Sequence, residues 1–79
     1  MKNIRIEEVG DIHSTYNYLE VFYQKNSNPF LDISISNTKE LSFKFYELKT
    51  ELSINLEELE YIISTAKDFL PRVLSNEED

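Results

Sequence analysis

Residues 54–74 read INLEELEYIISTAKDFLPRVL, and this stretch decides the architecture of the chain. Its apolar side chains recur every three or four residues, which is typical of an amphipathic helix. Asn55 and Glu58 have the spacing of a capping box, so the helix is predicted to begin at Leu56. Because Pro71 lacks a backbone donor, we expect the helix to end near Leu70 or to kink into a last turn through Leu74.

At about 100° per residue, this helix has two distinct sides. The apolar side, which should face a core, contains Leu56, Leu59, Ile62, Ile63, Ala66, Phe69, Leu70 and Val73. Tyr61 falls on the opposite side, together with carboxylates. A large aromatic ring among acids can anchor another molecule, although single exposed aromatics also occur without such a role.

Upstream of the helix, apolar and polar residues alternate in several segments, which predicts β-strands. The predicted strands are NIRIEEV (3–9), YNYLEVFYQ (16–24), FLDISIS (30–36), LSFKFYEL (41–48) and a short edge strand in KTELSI (49–54). Turn-forming residues such as KNSNP (25–29) separate them. Short turns between strands, followed by one helix, predict an α+β fold. We expect an antiparallel sheet of four to five strands in meander order, with the C-terminal amphipathic helix packed on one face.

Size and charge limit the classes of protein to which the chain can belong. The 79 residues should form a single domain at 1–74, with the polar, acidic residues 75–79 as a flexible tail. Eight Lys and Arg against fifteen Asp and Glu give a net charge of −7, and the cations are scattered. We therefore expect no binding to nucleic acid and instead a basic protein partner.

The chain contains no cysteine and no apolar run of roughly 20 residues, the length needed to span a bilayer. Its N-terminus, MKNIRIEEVG, lacks the continuous apolar core of a secretory signal. We therefore expect no disulfide framework and no membrane association. These features indicate a cytoplasmic location.

The side chains from which enzymes build active sites are few: one histidine, one glycine and no paired-histidine metal spacing. We therefore expect no catalysis, no cofactor and no metal. His13, between Asp11 and Ser14, has the residue types of a nucleophile, base and acid, but sequence neighbours rarely form such a site. A loop position is the preferred interpretation of His13.

A second enzymatic interpretation starts from Asp32 and from Glu47-Leu48-Lys49. This set resembles the Asp followed by Glu-x-Lys of restriction-type nucleases, which would hold Mg²⁺ and activate water. Strand alternation places Asp32 and Glu47 on opposite faces of the sheet unless a bulge intervenes. A Mg²⁺-dependent nuclease is therefore the third hypothesis.

Two surfaces are candidate partner-binding sites. The helix candidate consists of Tyr61, Glu57, Glu58 and Asp68. The sheet candidate lies on the face away from the helix and consists of Tyr18, Glu20, Phe22 and Tyr46. It requires that the residues facing the helix be Leu19, Val21, Leu31, Ile33, Ile35, Leu41, Phe43 and Phe45. An uncovered aromatic cluster there would mark a partner site or a homodimer seam, unless loops and the N-terminal segment cover it.

The short single domain, the strands FLDISIS and LSFKFYEL, and the capped helix NLEELEYIISTAKDFL resemble the small acidic immunity proteins that bacteria make against secreted toxins. The resemblance is one of size, charge and layout. It implies tight stoichiometric inhibition of a cognate toxin domain, often a basic nuclease. The leading hypothesis is therefore a non-catalytic immunity or inhibitor protein. The alternative is a homodimeric accessory or regulatory protein that uses the aromatic sheet face.

Overall fold

A computed structural model describes residues 3–49 and 51–76 of the chain. These residues form the strands β1 (Ile4–Val9), β2 (Tyr18–Tyr23), β3 (Leu31–Ile35) and β4 (Leu41–Phe45), followed by the helix α1 (Leu56–Asn76). The strands pair antiparallel in the order β1-β2-β3-β4. The predicted α+β fold, with a meander sheet and one C-terminal helix, is confirmed.

The core lies between the sheet and α1. In the register, Leu19 is opposite Ile33 and Val21 is opposite Leu31. These four buried residues pack in one cluster with α1 residues, namely Ile62, Ala66, Phe69 and Val73. The alternation along β2 therefore turns Leu19 and Val21 towards the helix and Tyr18, Glu20 and Phe22 away from it.

The C-terminal end of α1 differs from the prediction. The helix continues through Pro71 to Asn76, so an end near Leu70 is wrong and the alternative, a last turn through Leu74, is two residues short. Residues 75 and 76 of the predicted tail are helical. The other tail residues, 77–79, lie outside the described part of the chain. Val73 is buried in the core and Arg72 pairs with Glu8 of β1, and these contacts stabilise the turn that Pro71 weakens.

The predicted fifth strand is absent from the described residues. Lys49 and residues 51–54 have no strand structure, and residue 50 lies outside the described part. Leu52 and Ile54 nevertheless pack against the core. Their alternation therefore reflects a connecting segment that attaches to the core on its way to α1, and β4 is left at the edge of the sheet.

The helix does not cover β4. Phe43 and Phe45, predicted to face the helix in the core, are 43% and 69% exposed. A helix about 10 Å wide cannot shield four strands spaced about 4.8 Å apart. Within the described part of the chain, the buried core contains Ile4 of β1 and no residue of β4, and Arg72 of α1 pairs with Glu8 of β1, so the helix lies towards β1 and the uncovered strand is β4. For the same reason Leu56, Leu59 and Ile63, predicted to face the core, remain exposed.

Candidate functional site

Tyr61 lies at the mouth of a cleft between α1 and β1. The cleft has a volume of about 270 Å³ and is lined by Tyr61, Thr65 and Asp68 from the helix and by Ile6 and Glu8 from the strand. Tyr61 is 39% exposed. The aromatic residue on the water side of the helix thus forms one wall of a shallow depression, and it remains accessible to a partner.

The negative charge of this cleft is reduced by an ion pair. Nη2 of Arg72 donates to Oε1 of Glu8 at 2.6 Å, and Nδ2 of Asn17 donates to Oε2 of Glu8 at 2.8 Å. The hydrogen bond from Arg72, followed by that from Asn17, holds the pKa of Glu8 below its usual value. Glu8 is therefore satisfied within the chain, and a partner cation would have to compete with Arg72.

Glu58 of the helix candidate is buried, with 5% of its surface exposed. Its Oε1 accepts a hydrogen bond from the backbone N of Asn55 at 2.8 Å, and the Asn55 Oδ1 accepts one from the backbone N of Glu58 at 2.8 Å. This is the predicted capping box. The carboxylate of Glu58 caps the helix and is turned away from partners, whereas Glu57 and Asp68 stay exposed.

The sheet face away from α1 carries a row of charged residues that crosses all four strands. The cross-strand partners are Glu7 with Glu20, Glu20 with Asp32, and Asp32 with Lys44. Directly opposed residues in antiparallel strands have Cβ atoms about 5 Å apart. Three neighbouring carboxylates therefore share this face. Glu7 is paired with Arg5, whereas Glu20 and Asp32 lie directly opposite each other and repel.

Tyr46 is fixed to this row by a hydrogen bond. Its hydroxyl donates to Oδ2 of Asp32 at 2.5 Å. That bond is the main reason why the pKa of Tyr46 is raised to about 12, with further contributions from burial and from the charges of Asp32 and Glu20. The other oxygen of Asp32, Oδ1, is buried and accepts no hydrogen bond from the described residues.

Glu20 and Tyr18 experience the same concentration of negative charge. Burial, followed by the charges of Asp32 and Glu7, raises the pKa of Glu20. Burial, followed by the charges of Glu20, Asp32 and Asp11, raises the pKa of Tyr18. Tyr18, Glu20, Asp32 and Tyr46 thus form one partly desolvated cluster, which we call the acidic tyrosine cluster.

Phe22 does not belong to the accessible part of this face. It is only 4% exposed, because the guanidinium of Arg5 lies 4.2 Å from its ring centroid. Arg5 is itself fixed by Glu7 at 2.8 Å and by the carbonyl oxygens of Gln24 and Asn26. The expectation that Tyr18, Phe22 and Tyr46 would be uncovered together is therefore wrong for Phe22.

A groove adjoins the acidic tyrosine cluster. It has a volume of about 750 Å³, and its walls are the loop 26–29 and residues 47–49. Glu20 and Tyr46 belong both to the groove and to the cluster. A projecting loop of a partner could enter the groove and place a basic side chain against the carboxylates.

Residues of the two enzymatic hypotheses make other contacts in the structure. Oδ1 of Asp11 accepts a hydrogen bond from the backbone N of His13 at 2.9 Å, so this carboxylate stabilises a turn. Glu47 and Lys49 line the groove, whereas Asp32 is held by Tyr46. Across residues 3–49 and 51–76, no three His, Cys, Asp or Glu side chains are grouped so that they could hold a metal ion.

Sequence reasoning missed the arrangement around Asp32. Asp32 was named as a metal ligand in the third hypothesis and was not among the candidate partner-binding residues, whereas the register places it between Glu20 and Lys44 and its carboxylate accepts a hydrogen bond from the hydroxyl of Tyr46. The signal was present in the alternation of FLDISIS, which directs Asp32 to the face that carries Glu20. What the alternation could not supply is the pairing register.

No protein-family model matches this chain, and searches of curated proteins and of solved structures found no significant match. Within the described residues, no helix is long and apolar enough to cross a membrane. Function must therefore be argued from the surface itself.

Proposed function

We propose that this chain is a non-catalytic immunity or inhibitor protein that binds and neutralises a basic, nuclease-like toxin domain in the bacterial cytoplasm. The observation that carries the proposal is the acidic tyrosine cluster beside its groove. The resemblance in size, charge and layout to small acidic immunity proteins points to the same class of protein.

The cluster suits a lysine or arginine side chain of a partner. Glu20 and Asp32 are cross-strand neighbours, so their repulsion is relieved when a cation binds between them. Partial burial strengthens this attraction relative to bulk water. A toxin that binds phosphate with basic residues would present suitable cations, and the net charge of −7 would speed the encounter.

The two tyrosines supply the apolar part of the contact. Tyr46 is 36% exposed and is held in place by Asp32, so little side-chain entropy is lost when it is covered. Tyr18 is half-buried on the same face. Pre-ordered tyrosines at the centre of a polar interface are typical binding hot spots.

The sheet face is a better contact site than the helix face. The helix candidate retains Tyr61, Glu57 and Asp68, but Glu58 is used in the cap and Glu8 is paired with Arg72. The cleft there is also smaller than the groove beside Tyr46. We therefore assign Tyr61 a secondary role at most.

A homodimer through the aromatic sheet face is a weaker candidate. Arg5 covers Phe22, which removes the largest apolar ring from the proposed seam. Two copies placed face to face would also bring the carboxylates of Glu20 and Asp32 from both copies together. Such a contact buries like charges and is unfavourable.

Co-purification with the product of the neighbouring gene, followed by calorimetric titration and a nuclease assay, tests the proposal. Tyr46→Ala should weaken binding by about 2 kcal/mol, roughly thirtyfold, if Tyr46 is a hot spot. Glu20→Gln should weaken binding more at low salt than at high salt, because it removes an attractive charge that salt would otherwise screen.

Tyr61→Ala is the matched control, since it removes a tyrosine of similar exposure from the other surface. We expect its affinity to stay close to that of the unchanged protein. A loss with Tyr61→Ala but not with Tyr46→Ala would move the contact to the cleft beside α1. Failure of the neighbouring gene product to bind, or binding without inhibition, would contradict the proposed function.

A further inference from the structure

The edge formed by β4 is open. At the two ends of its pairing with β3, the backbone N of Ser36 donates to the carbonyl of Glu40, and the backbone N of Tyr46 donates to the carbonyl of Phe30. The even-numbered residues of β4 therefore direct their backbone N–H and C=O groups towards β3. The backbone groups of Leu41, Phe43 and Phe45 therefore point away from the sheet. Among the described residues, no backbone hydrogen bond outside β3 reaches these three.

The opposite edge of the sheet is protected in a way that β4 is not. On β1 the residues whose backbone groups point away from the sheet include Glu8. The carboxylate of Glu8 binds Arg72 of α1, so charged side chains and the helix lie beside that edge. Natural sheets commonly block an edge with such charges. On β4 the corresponding residues, Leu41, Phe43 and Phe45, are all apolar.

Beside the open edge lies an exposed apolar surface, which we call the β4 flank. It consists of Phe43 and Phe45 on the strand and of Leu56, Leu59 and Ile63 on the side of α1 opposite Tyr61 and Arg72. Since Arg72 faces β1, helix periodicity directs these α1 side chains towards β4. Exposed apolar patches next to an unpaired strand are typical of protein interfaces.

We propose that the β4 flank binds a second copy of this chain, with the two β4 strands paired antiparallel about a two-fold axis at Phe43. The pairing places Phe43 opposite Phe43 and Leu41 opposite Phe45, so the side of the seam that faces the helices is entirely apolar. On the other side Ser42 is opposite Lys44, so no like charges are directly opposed. The two sheets become one continuous eight-stranded sheet.

The distribution of charge favours a second copy at this edge. Residues 39–49 contain three lysines and two glutamates, a net charge of +1, while the rest of the chain carries −8. The β4 edge is therefore a part of this acidic protein where two copies can approach with little repulsion. In the dimer, the apolar α1 side chains of both copies then lie over Phe43 and Phe45 of the paired strands, which one helix alone cannot cover.

Light scattering after size exclusion tests the proposal on the intact chain. We expect a mass of twice 9.4 kDa at micromolar concentrations. Phe45→Lys should raise the concentration at which the dimer dissociates at least tenfold, and its fold should survive because Phe45 is mostly in water. Ile12→Lys, the same charge change at an apolar residue that is 95% exposed elsewhere, should leave the dimer unchanged.

A disulfide test locates the seam independently. In the proposed register Ser42 and Lys44 of the two copies form a non-hydrogen-bonded pair, with Cα atoms about 4.5 Å apart, which a disulfide can span. The chain has no cysteine, so a Ser42→Cys, Lys44→Cys double variant should form a covalent dimer on mild oxidation. The equivalent Glu7→Cys, Val9→Cys variant on β1 should not.

A monomeric mass at several hundred micromolar would overturn the proposal. So would a dimer that Phe45→Lys does not weaken, or one that the β1 cysteines cross-link and the β4 cysteines do not. Because none of these measurements involves the toxin, they are independent of the proposed function.

Discussion

At the scale of the residue, two glutamates on opposite sides of the sheet show how one side-chain type can stabilise or destabilise this fold. Glu8 has a lowered pKa because Arg72 and Asn17 donate to its carboxylate. Glu20 has a raised pKa because of burial and the charges of Asp32 and Glu7. Ionisation therefore favours the folded state at Glu8 and opposes it at Glu20.

We predict opposite effects of the two Glu→Gln changes at pH 7. Glu8→Gln should lower the free energy of unfolding and Glu20→Gln should raise it, each by less than about 1 kcal/mol because both groups are partly exposed.

The contribution of Glu8 to stability is lost as the pH falls through its lowered pKa. The penalty at Glu20 is absent below the unfolded pKa and develops as the pH rises through its raised pKa. Urea unfolding at pH 7 and at about pH 3 measures both, and equal signs at pH 7 would contradict the argument.

The stabilising effect expected of Glu20→Gln also bears on function. A residue that costs stability in the free protein is explained if a bound cation uses its charge. Glu20→Gln is thus expected to strengthen the fold while weakening the partner complex.

At the scale of the element, α1 is specified by its first turn more than by its last. Asn55 and Glu58 satisfy each other's backbone donors, and both bonds measure 2.8 Å. At the other end, Pro71 lies within the helix and the last turn carries no basic residue. The last turn therefore depends on tertiary contacts, which is why the sequence alone placed the end of the helix too early.

We predict that Asn55→Ala lowers the free energy of unfolding by about 1 kcal/mol, because the backbone N of Glu58 loses its acceptor. Asn37→Ala, at an exposed asparagine in the β3–β4 turn, is the control and should change stability by less than about 0.5 kcal/mol. Chemical denaturation of both variants at pH 7 makes the comparison. An equal cost at both positions would show that the cap is not what stabilises the start of α1.

At the scale of the whole molecule, the sequence correctly predicted the helix, the strands β1 to β4 and the direction of most side chains. It did not predict how much of the sheet the helix would cover. Alternation correctly turned Leu31 and Ile33 to the core and left open which side of β2 faces the helix, and capping correctly began α1 at Leu56. Neither pattern could show that the helix would shield only part of the sheet, because coverage depends on lateral position. That position follows from long-range contacts, namely the burial of Ile4 of β1 with the α1 residues and the pairing of Glu8 with Arg72, which no local pattern encodes.

The same lateral position separates the two proposed interfaces. The acidic tyrosine cluster lies on the face away from α1, while the β4 flank lies on the helix side beside the open edge. In a dimer joined through β4, both clusters would lie on one face of the continuous sheet. Each could then bind its own partner.

We therefore predict that the two interfaces are energetically independent. Phe45→Lys should dissociate the dimer without changing the affinity of each site for the toxin domain, and Tyr46→Ala should weaken toxin binding without changing the dimer. Phe45 and Tyr46 are neighbours in sequence, but Tyr46 bonds Asp32 on the face away from α1 and Phe45 points to the helix side, so in the double variant the two effects should add within about 0.5 kcal/mol. Titration calorimetry and light scattering on the unchanged protein, the two single variants and the double variant provide this double-mutant cycle. A coupling above 1 kcal/mol would mean that toxin binding and pairing through β4 share residues, and the two surfaces assigned here would then have to be treated as one.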